Sequence, residues 1–265
     1  MRFIVCVKLT PDTEELNEVQ PEDVGSGDFG VTMVLNPWDE FAVEEALLLQ
    51  ERFGGDTTAI TVGDQNSTEA LKRAVAMGIE HGVLLSDPAF SGSDAWGIAH
   101  ILAQAIRRAG EFGLVLTGKQ SVDGNSGLVP AGLAVKLGAP FVSEVVSILE
   151  LTETSVTLQK LVDEGTQTLR VPIPAVISVS KEINEPRYPT FMGIRKASRM
   201  SFPAVSASEV AGLDGSEFGA GHAPLQWTDL RKPPARAGKC EFIEGATPAE
   251  QAGKLADRLI AEKVI

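Results

Sequence analysis

The sequence predicts an α/β protein built on a mostly parallel, twisted sheet covered by helices. Three observations carry that expectation. Short apolar runs rich in β-branched residues alternate with helical patterns, the connections between them are short, and glycines stand where the helices should stop. At 265 residues with 43% hydrophobic side chains, the chain can bury a core without disulfides or metals.

Residues 3–9 (FIVCVKL) form the first apolar run, as expected of a buried strand. Residues 10–30 are polar and Gly-rich and read as an excursion or hairpin. Asn36 then opens a helix. Its side chain can cap, Pro37 carries the preset φ of a first helical position, and Asp39 and Glu40 sit at the positive end of the dipole. Phe41, Ala42, Glu45, Ala46, Leu48 and Leu49 continue it with roughly helical spacing up to Gly54-Gly55.

The alternation repeats. Residues 57–62 read as a strand, 67–77 as a helix stopped by Gly78, and 82–86 as a strand. Residues 94–109 read as a helix capped by Ser93 or Asp94 and ended by Gly110, 114–117 as a strand, and 128–137 as a helix. Ligands of such sheets sit beyond the carboxyl ends of the strands, which gathers residues 8–12, 63–66, 87–94 and 118–127 around one crevice.

After Leu137 the texture changes. Residues 141–151, 155–162 and 167–180 read as strands joined by Thr152-Glu153-Thr154 and Asp163-Glu164-Gly165, compatible with antiparallel additions to the main sheet. Residues 181–203 read as a loop with a short helix. The chain therefore divides into an α/β domain over 1–204 and an extended C-terminal arm over 205–265. The arm is Gly/Pro-rich, carries scattered Leu225, Trp227, Phe242 and Ile243, and ends in a helix near 248–263. Such a segment hardly packs on itself and reads as an arm laid on a partner, with a plain flexible tail as the alternative.

Composition excludes several classes. A net charge of −13 repels nucleic acid and anionic lipid. No apolar stretch approaches the roughly 20 residues that span a bilayer, and the N-terminus reads as a strand without a signal core. Cys6 and Cys240 form no CxxC, which points to a reducing compartment such as the bacterial cytoplasm, without a zinc site or disulfide framework. His81, His100 and His222 are dispersed, and no Ser/His/Asp set, carboxylate pair or ligand cluster assembles, so neither a catalytic residue nor a metal ligand is assigned.

The segment richest in chemistry is Gly118-Lys119-Gln120-Ser121-Val122-Asp123-Gly124-Asn125-Ser126-Gly127, between a strand and a helix. Its glycines permit close backbone approach, and amides at a helix start can hold a phosphate. It is neither a Walker loop nor GxGxxG, and a Gly-rich surface turn remains the alternative. Ser91-Gly92-Ser93-Asp94 is faintly similar to the phosphate loop of ATP pyrophosphatases, but it follows a later strand and reads as an ordinary cap.

Several strings, in register along the chain, resemble the β (small) subunits of electron-transfer flavoproteins. They are Val7-Lys8 with Pro11-Asp12, Asn36-Pro37 followed by Asp39-Glu40-Phe41-Ala42-Val43-Glu44-Glu45-Ala46, and Ala74-Val75-Ala76-Met77-Gly78. The loop at 118–124, the string Asn184-Glu185-Pro186-Arg187-Tyr188-Pro189-Thr190 and the tail Pro233-Pro234-Ala235-Arg236-Ala237-Gly238 complete the match. The resemblance implies an adenine nucleotide α-hydrolase-like fold and a non-catalytic electron-carrier subunit. Its partner would be an α subunit whose FAD carries the electrons. This chain would hold AMP, or a second FAD that accepts hydride from NADH if the assembly is electron-bifurcating.

Carried over residue by residue, the cofactor pocket would involve Cys6, Asn36, Val62, Gly63, Lys119, Gln120, Ser121, Val122, Asp123, Gly124, Asn125, Ser126, Gly127, Leu128 and Val129. The segment after Tyr188 would dock flavin dehydrogenases through Phe191, which stands where the family has leucine, flanked by Met192. A local core plug is the alternative for Phe191. A family glutamate that contacts the flavin domain of the α subunit stands here as Gln167, which can hydrogen-bond an arginine without an ion pair. Past Asp123-Gly124 the family's Thr and Gln give way to Asn125-Ser126-Gly127-Leu128-Val129-Pro130, and Pro130 has no N–H to donate. Residues 86–94 are more like bifurcating members, while Ala95 and Ile98 replace threonines usual there.

Overall fold

A computed structural model describes residues 1–26, 29–225, 229, 231–232, 234, 238 and 240–265. Two compact units are present, Met1–Leu230 and Arg231–Ile265.

The first unit is built on a nine-stranded sheet. In chain order its strands are β1 (Arg2–Cys6), β4 (Asp56–Val62), β5 (His81–Leu85), β6 (Leu114–Gly118), β7 (Phe141–Leu151), β8 (Ser155–Val162), β9 (Gly165–Pro172), β10 (Ala175–Val179) and β11 (Ala204–Val205). Two short strands, β2 (Leu9–Pro11) and β3 (Met33–Leu35), pair antiparallel outside it and close the excursion after β1 as a ribbon. Within that excursion lies the helix α1 (Pro21–Ser26).

The order across the main sheet is β11-β5-β4-β1-β6-β10-β7-β8-β9. All neighbours from β11 to β7 are parallel, and β8 and β9 are antiparallel additions. The chain first builds from β1 through β4 to β5 on one side. It then returns to place β6 on the other side of β1. This reversal opens a crevice above the carboxyl ends of β1 and β6, where ligands of open α/β sheets bind.

Helices cover both faces, as expected of parallel strands that must bury both sides. Against one face lie α2 (Pro37–Phe53) and α3 (Thr68–Met77), whose Ala42, Val43, Ala46, Leu71 and Val75 join Val5, Ala59, Leu116 and Ile177 in one core. Against the other lie α4 (Ala95–Ala109) and α5 (Leu128–Leu137), with Ile101, Ile106 and Leu133 packed on Ile4, Val115 and Val176. Each large apolar side chain buried this way contributes about 1.5–3 kcal/mol.

The fold class and the order of strands and helices agree with the sequence. The run 167–180, expected as one strand, is two. It breaks after Pro172, and β10 leaves the β8–β9 hairpin to insert between β6 and β7. Pro172 and Pro174 flank the break and have no N–H for a ladder.

A second difference concerns the chain after residue 204. Residues 205–225 pack within the first unit: β11 extends the sheet beside β5, and Val210 and Phe218 are buried in the α4/α5 core. Phe218 stacks on His100 and meets Phe90 edge-on, and His100 Nε2 accepts Asp214 N at 3.3 Å. Apolar residues that look scattered along the sequence thus converge on one helix.

The second unit contains the helix α7 (Pro248–Ala261), capped by Thr247, whose hydroxyl accepts Glu250 N. Leu255 and Ile260 on it, and Val264 and Ile265 beyond it, are exposed. Trp227, Pro233 and residues 235–237 of the tail string lie outside the described residues. No described helix is long and apolar enough to cross a membrane.

Candidate functional site

The crevice between β1 and β6 is assembled around the first turn of α2. Asn36, expected as a helix cap, makes no side-chain cap hydrogen bond. Its amide turns instead toward the loop after β6: Nδ2 donates to Gln120 O at 2.9 Å, and Oδ1 accepts Val122 N at 3.2 Å. A primary amide has both a donor and an acceptor, so it can satisfy a loop backbone on two sides. Pro37 and the carboxylates at 39 and 40 start the helix without the cap.

Asp39, not among the expected site residues, braces the same place from beneath. Its Oδ2 accepts Lys8 N at 2.9 Å, and its Oδ1 lies against the Gly118 backbone. One side chain thereby ties the ends of β1 and β6 together. The fit needs a glycine, because a Cβ on Gly118 would lie 2.5 Å from Asp39 Oδ1 and 2.6 Å from the Trp38 carbonyl carbon. Burial pushes the Asp39 carboxyl up to about 7, against the Asn36, Lys8 and Gly118 hydrogen bonds and the Lys8 charge, which lower it. Cys6 lies at the end of β1, and its thiol is driven far above its usual range, first by burial and then by Asp39. It is held as a neutral thiol.

The loop itself is folded by its own side chains. Lys8 Nζ pairs with Asp123 Oδ2 at 2.6 Å, and Lys119 Nζ pairs with Glu144 Oε1 at 2.9 Å. Gln120 Nε2 donates to Asn125 Oδ1 at 2.9 Å, and Asn125 N donates to Ser121 O at 2.8 Å. Asn125 (φ 49°) and Gly127 (φ 60°) take left-handed backbone, which turns the chain into α5. Gly124 is open, with only Ser121 Oγ within 4 Å of a Cβ placed there. Burial would raise the Asp123 carboxyl, but the Lys8 charge and the hydrogen bonds from Lys8 and Ser121 outweigh it and hold it below its ordinary value.

The two helices that start beside the crevice differ in one respect. α4 is filled by its own chain: Asp94 accepts Trp96 N and Gly97 N, both at 3.0 Å, and Leu225 N at 3.3 Å. α5 starts at Gly127 with no side-chain cap and no acid in its first turn. Leu128 N donates weakly to Ser126 Oγ at 3.5 Å, and among the described residues no carboxylate caps the first amides. Beneath it, Cys6, Thr117 and Ser178 stand in register on β1, β6 and β10, on the face that α4 and α5 cover. Thr117 is 4% exposed, and its hydroxyl has no hydrogen-bond partner among the described residues.

Beside the loop, a cleft of about 360 Å³ runs over the ends of β1 and β4. Val62 and Gly63 line it together with Lys8, Met33 and Ser67. Lys8 joins cleft and loop, since it lines the first and its ammonium holds Asp123 in the second. The loop 87–94, expected in the same crevice, is closed by the chain after β11. Asp87 accepts Ala207 N at 2.9 Å, Ser93 Oγ accepts Gly219 N at 2.8 Å, and a Cβ on Gly92 would meet the Ala220 methyl at 2.6 Å.

The expected docking residues lie apart from the crevice. Tyr188, Phe191 and Met192 are 88%, 79% and 67% exposed, which removes a local core plug as the role of Phe191. Tyr188 precedes the helix α6 (Phe191–Arg199), which Phe191 and Met192 begin and which packs on α3. Gln167 is exposed on the edge strand β9, opposite Lys160.

A sequence model of the electron transfer flavoprotein domain matches residues 28–210. Curated relatives cover essentially the whole chain. Caffeyl-CoA reductase-Etf complex subunit CarD of Acetobacterium woodii is 32% identical over 266 residues, 100% of both chains. The electron transfer flavoprotein subunit beta of Mycobacterium tuberculosis is 33% identical over 271 residues, 99% of both. This chain belongs to the electron transfer flavoprotein β-subunit family. Protein FixA of Bradyrhizobium diazoefficiens, 34% identical over 259 residues, matches 95% of this β-family chain and 89% of its own. The role that goes with this family is electron transfer, and the α/β architecture of the chain agrees with it.

Proposed function

We propose that this chain is the β subunit of a heterodimeric electron-transfer flavoprotein. It binds AMP across the β1/β6 crevice and docks flavin dehydrogenases, so that electrons pass to the FAD of an α subunit. The observation that carries the reading is the start of α5. There, helix amides with no acid in the first turn, the loop gripped by Asn36 and a Thr117 hydroxyl without a partner among the described residues converge at the reversal of strand order. A helix start without its own anion suits a phosphate, and the residues present fit one.

Loop residues 119–129 would receive the phosphate through backbone amides, with Ser126 and Asn125 as polar side chains. Val62 and Gly63, in a cleft at the small end of ligand sites, would hold the adenosine side. The closure of residues 87–94 by the chain after β11 supports a mononucleotide over FAD. The nucleotide supplies no redox chemistry. Its contribution is to fix the loop around which the β subunit is built.

Docking rests on Tyr188, Phe191 and Met192, large apolar side chains held out to solvent at the start of a helix. Such residues act as anchors when a partner offers a pocket. Pairing with an α subunit is supported by the exposed apolar residues of the Arg231–Ile265 unit and by the open edge strand β9. Titration of AMP into the nucleotide-stripped heterodimer tests the site and should show one-to-one binding. Phe191→Ala tests docking: reduction by a flavin dehydrogenase that reduces the wild-type heterodimer should slow while flavin content stays unchanged. Unaltered kinetics would remove the docking role.

A further inference from the structure

The segment that presents the docking anchors has neither helix nor strand over residues 183–190, yet it is fixed with unusual care. Glu44 of α2 is 4% exposed, and Arg187 meets it four ways. Arg187 N donates to Oε2 at 3.0 Å, Nε donates to Oε2 at 2.8 Å and to Oε1 at 3.1 Å, and Nη2 donates to Oε1 at 2.9 Å. Nη1 reaches Glu51, about two turns further along the same helix, at 2.6 Å. Upstream, Asn184 Nδ2 donates to Phe41 O and to Glu45 Oε2, each at 3.1 Å.

Downstream, Thr190 Oγ1 accepts Gly193 N at 2.9 Å and caps α6. A Cβ on Gly193 would lie 2.2 Å from Ala76 O, so α6 is seated directly on the end of α3. Tyr188, Phe191 and Met192 are therefore strung between two fixed points, Arg187 and Gly193.

We propose that Glu44 is a positioning residue for docking: its buried carboxylate clamps Arg187 and so holds the exposed anchors in their partner-ready arrangement. The inference rests on the docking role proposed above. A bidentate guanidinium–carboxylate pair fixes direction as well as distance, which a hydrophobic contact would not. A loop ordered before it meets its partner avoids the ordering cost at the moment of binding.

The test uses the nucleotide-loaded heterodimer. Glu44→Gln should speed amide hydrogen exchange over residues 187–194 while leaving residues 118–127 as in wild type. With a flavin dehydrogenase that reduces the wild-type heterodimer, the KM for the heterodimer should rise roughly tenfold, the scale of one or two side chains losing preorganisation, with kcat and bound nucleotide unchanged. The double variant Glu44→Gln/Phe191→Ala should raise KM by less than the product of the two single effects, because positioning acts in part through the Phe191 anchor.

If Phe191→Ala slows reduction but Glu44→Gln changes neither exchange nor KM, the positioning role is overturned and docking stands. If Phe191→Ala has no effect, docking fails and the positioning role falls with it. Should Glu44→Gln not fold, Arg187→Lys keeps the charge and loses the fork. Wild-type exchange and KM in that variant would overturn the proposal.

Discussion

Asp39 offers the sharpest test of how the crevice is built. Its carboxyl is pushed from an ordinary 3.8 to about 7, mainly by burial. The native state thus holds this proton more tightly than the unfolded chain does. Native stability should fall as pH rises from 3.8 toward 7, and level off above that. A span of about three pH units corresponds to about 4 kcal/mol in total. Only part is accessible in practice, because the sequence pI near 4.7 invites precipitation at the acid end. Between about pH 5.5 and 7 the expected change is about 2 kcal/mol.

Asp39→Asn removes the titration. It also sets an amide N–H against the Lys8 or Gly118 donor, a cost of about 1–3 kcal/mol that does not vary with pH. The assay is urea unfolding of both proteins at a series of pH values, followed by tryptophan fluorescence. Glu45, whose carboxyl is also raised by burial, titrates in both proteins and cancels in the difference. The wild type should lose stability relative to the variant as pH rises to 7 and run parallel above it. Parallel curves throughout would show that Asp39 is ionised across the range, and the brace between β1 and β6 would need another explanation.

Three further outcomes follow from the same geometry. Asn36→Ala deletes two hydrogen bonds to the loop, each worth about 0.5–1.5 kcal/mol, and should weaken AMP binding roughly ten- to hundredfold in calorimetry with little change in helix content. Gly118→Ala forces a methyl into Asp39 and the Trp38 backbone and should cost about 1–3 kcal/mol of stability, read as a lower urea midpoint, with nucleotide lost on purification. Asp123 has a lowered carboxyl pKa, so its pairing with Lys8 stabilises the protein above pH 3.8 and is lost as pH falls through the depressed value. Asp123→Asn should therefore flatten the acid limb of a thermal-stability profile without affecting it at neutral pH by more than about 1 kcal/mol.

Much of the fold was legible because the punctuation is chemical. Gly54, Gly78 and Gly110 stop α2, α3 and α4 where the sequence places the ends, and Asp94 caps α4 as its type suggests. The β9/β10 break had a signal in Pro172 and Pro174, but the apolar run through Ile173 and Ala175 masks it, and long-range pairing then separates one strand from two. The strap at 207–225 was missed for a related reason: Val210 and Phe218 lack periodicity and find their cover only in the folded α4.

Of the site, the loop at 118–127 could be read from glycines between a strand and a helix. Asn36 was expected both as a helix cap and, through the resemblance, in the pocket; the cap does not form, because a capping amide and a loop-bridging amide look alike in sequence. Asp39 and Thr117 were hidden, the first as an ordinary first-turn acid and the second as an ordinary strand residue. Only their burial, at 6% and 4% exposure, gives them away. Lys8 carried a signal in retrospect, a lone cation at the end of a buried strand facing the crevice.

We propose a mononucleotide in the β1/β6 crevice of an electron-carrying heterodimer. The most direct measurement is to co-purify this chain with its α subunit, denature the complex and quantify the AMP and FAD released per heterodimer. One AMP with one FAD is the predicted result. Two FAD without AMP would contradict it and make this chain the flavin-binding subunit of a bifurcating assembly.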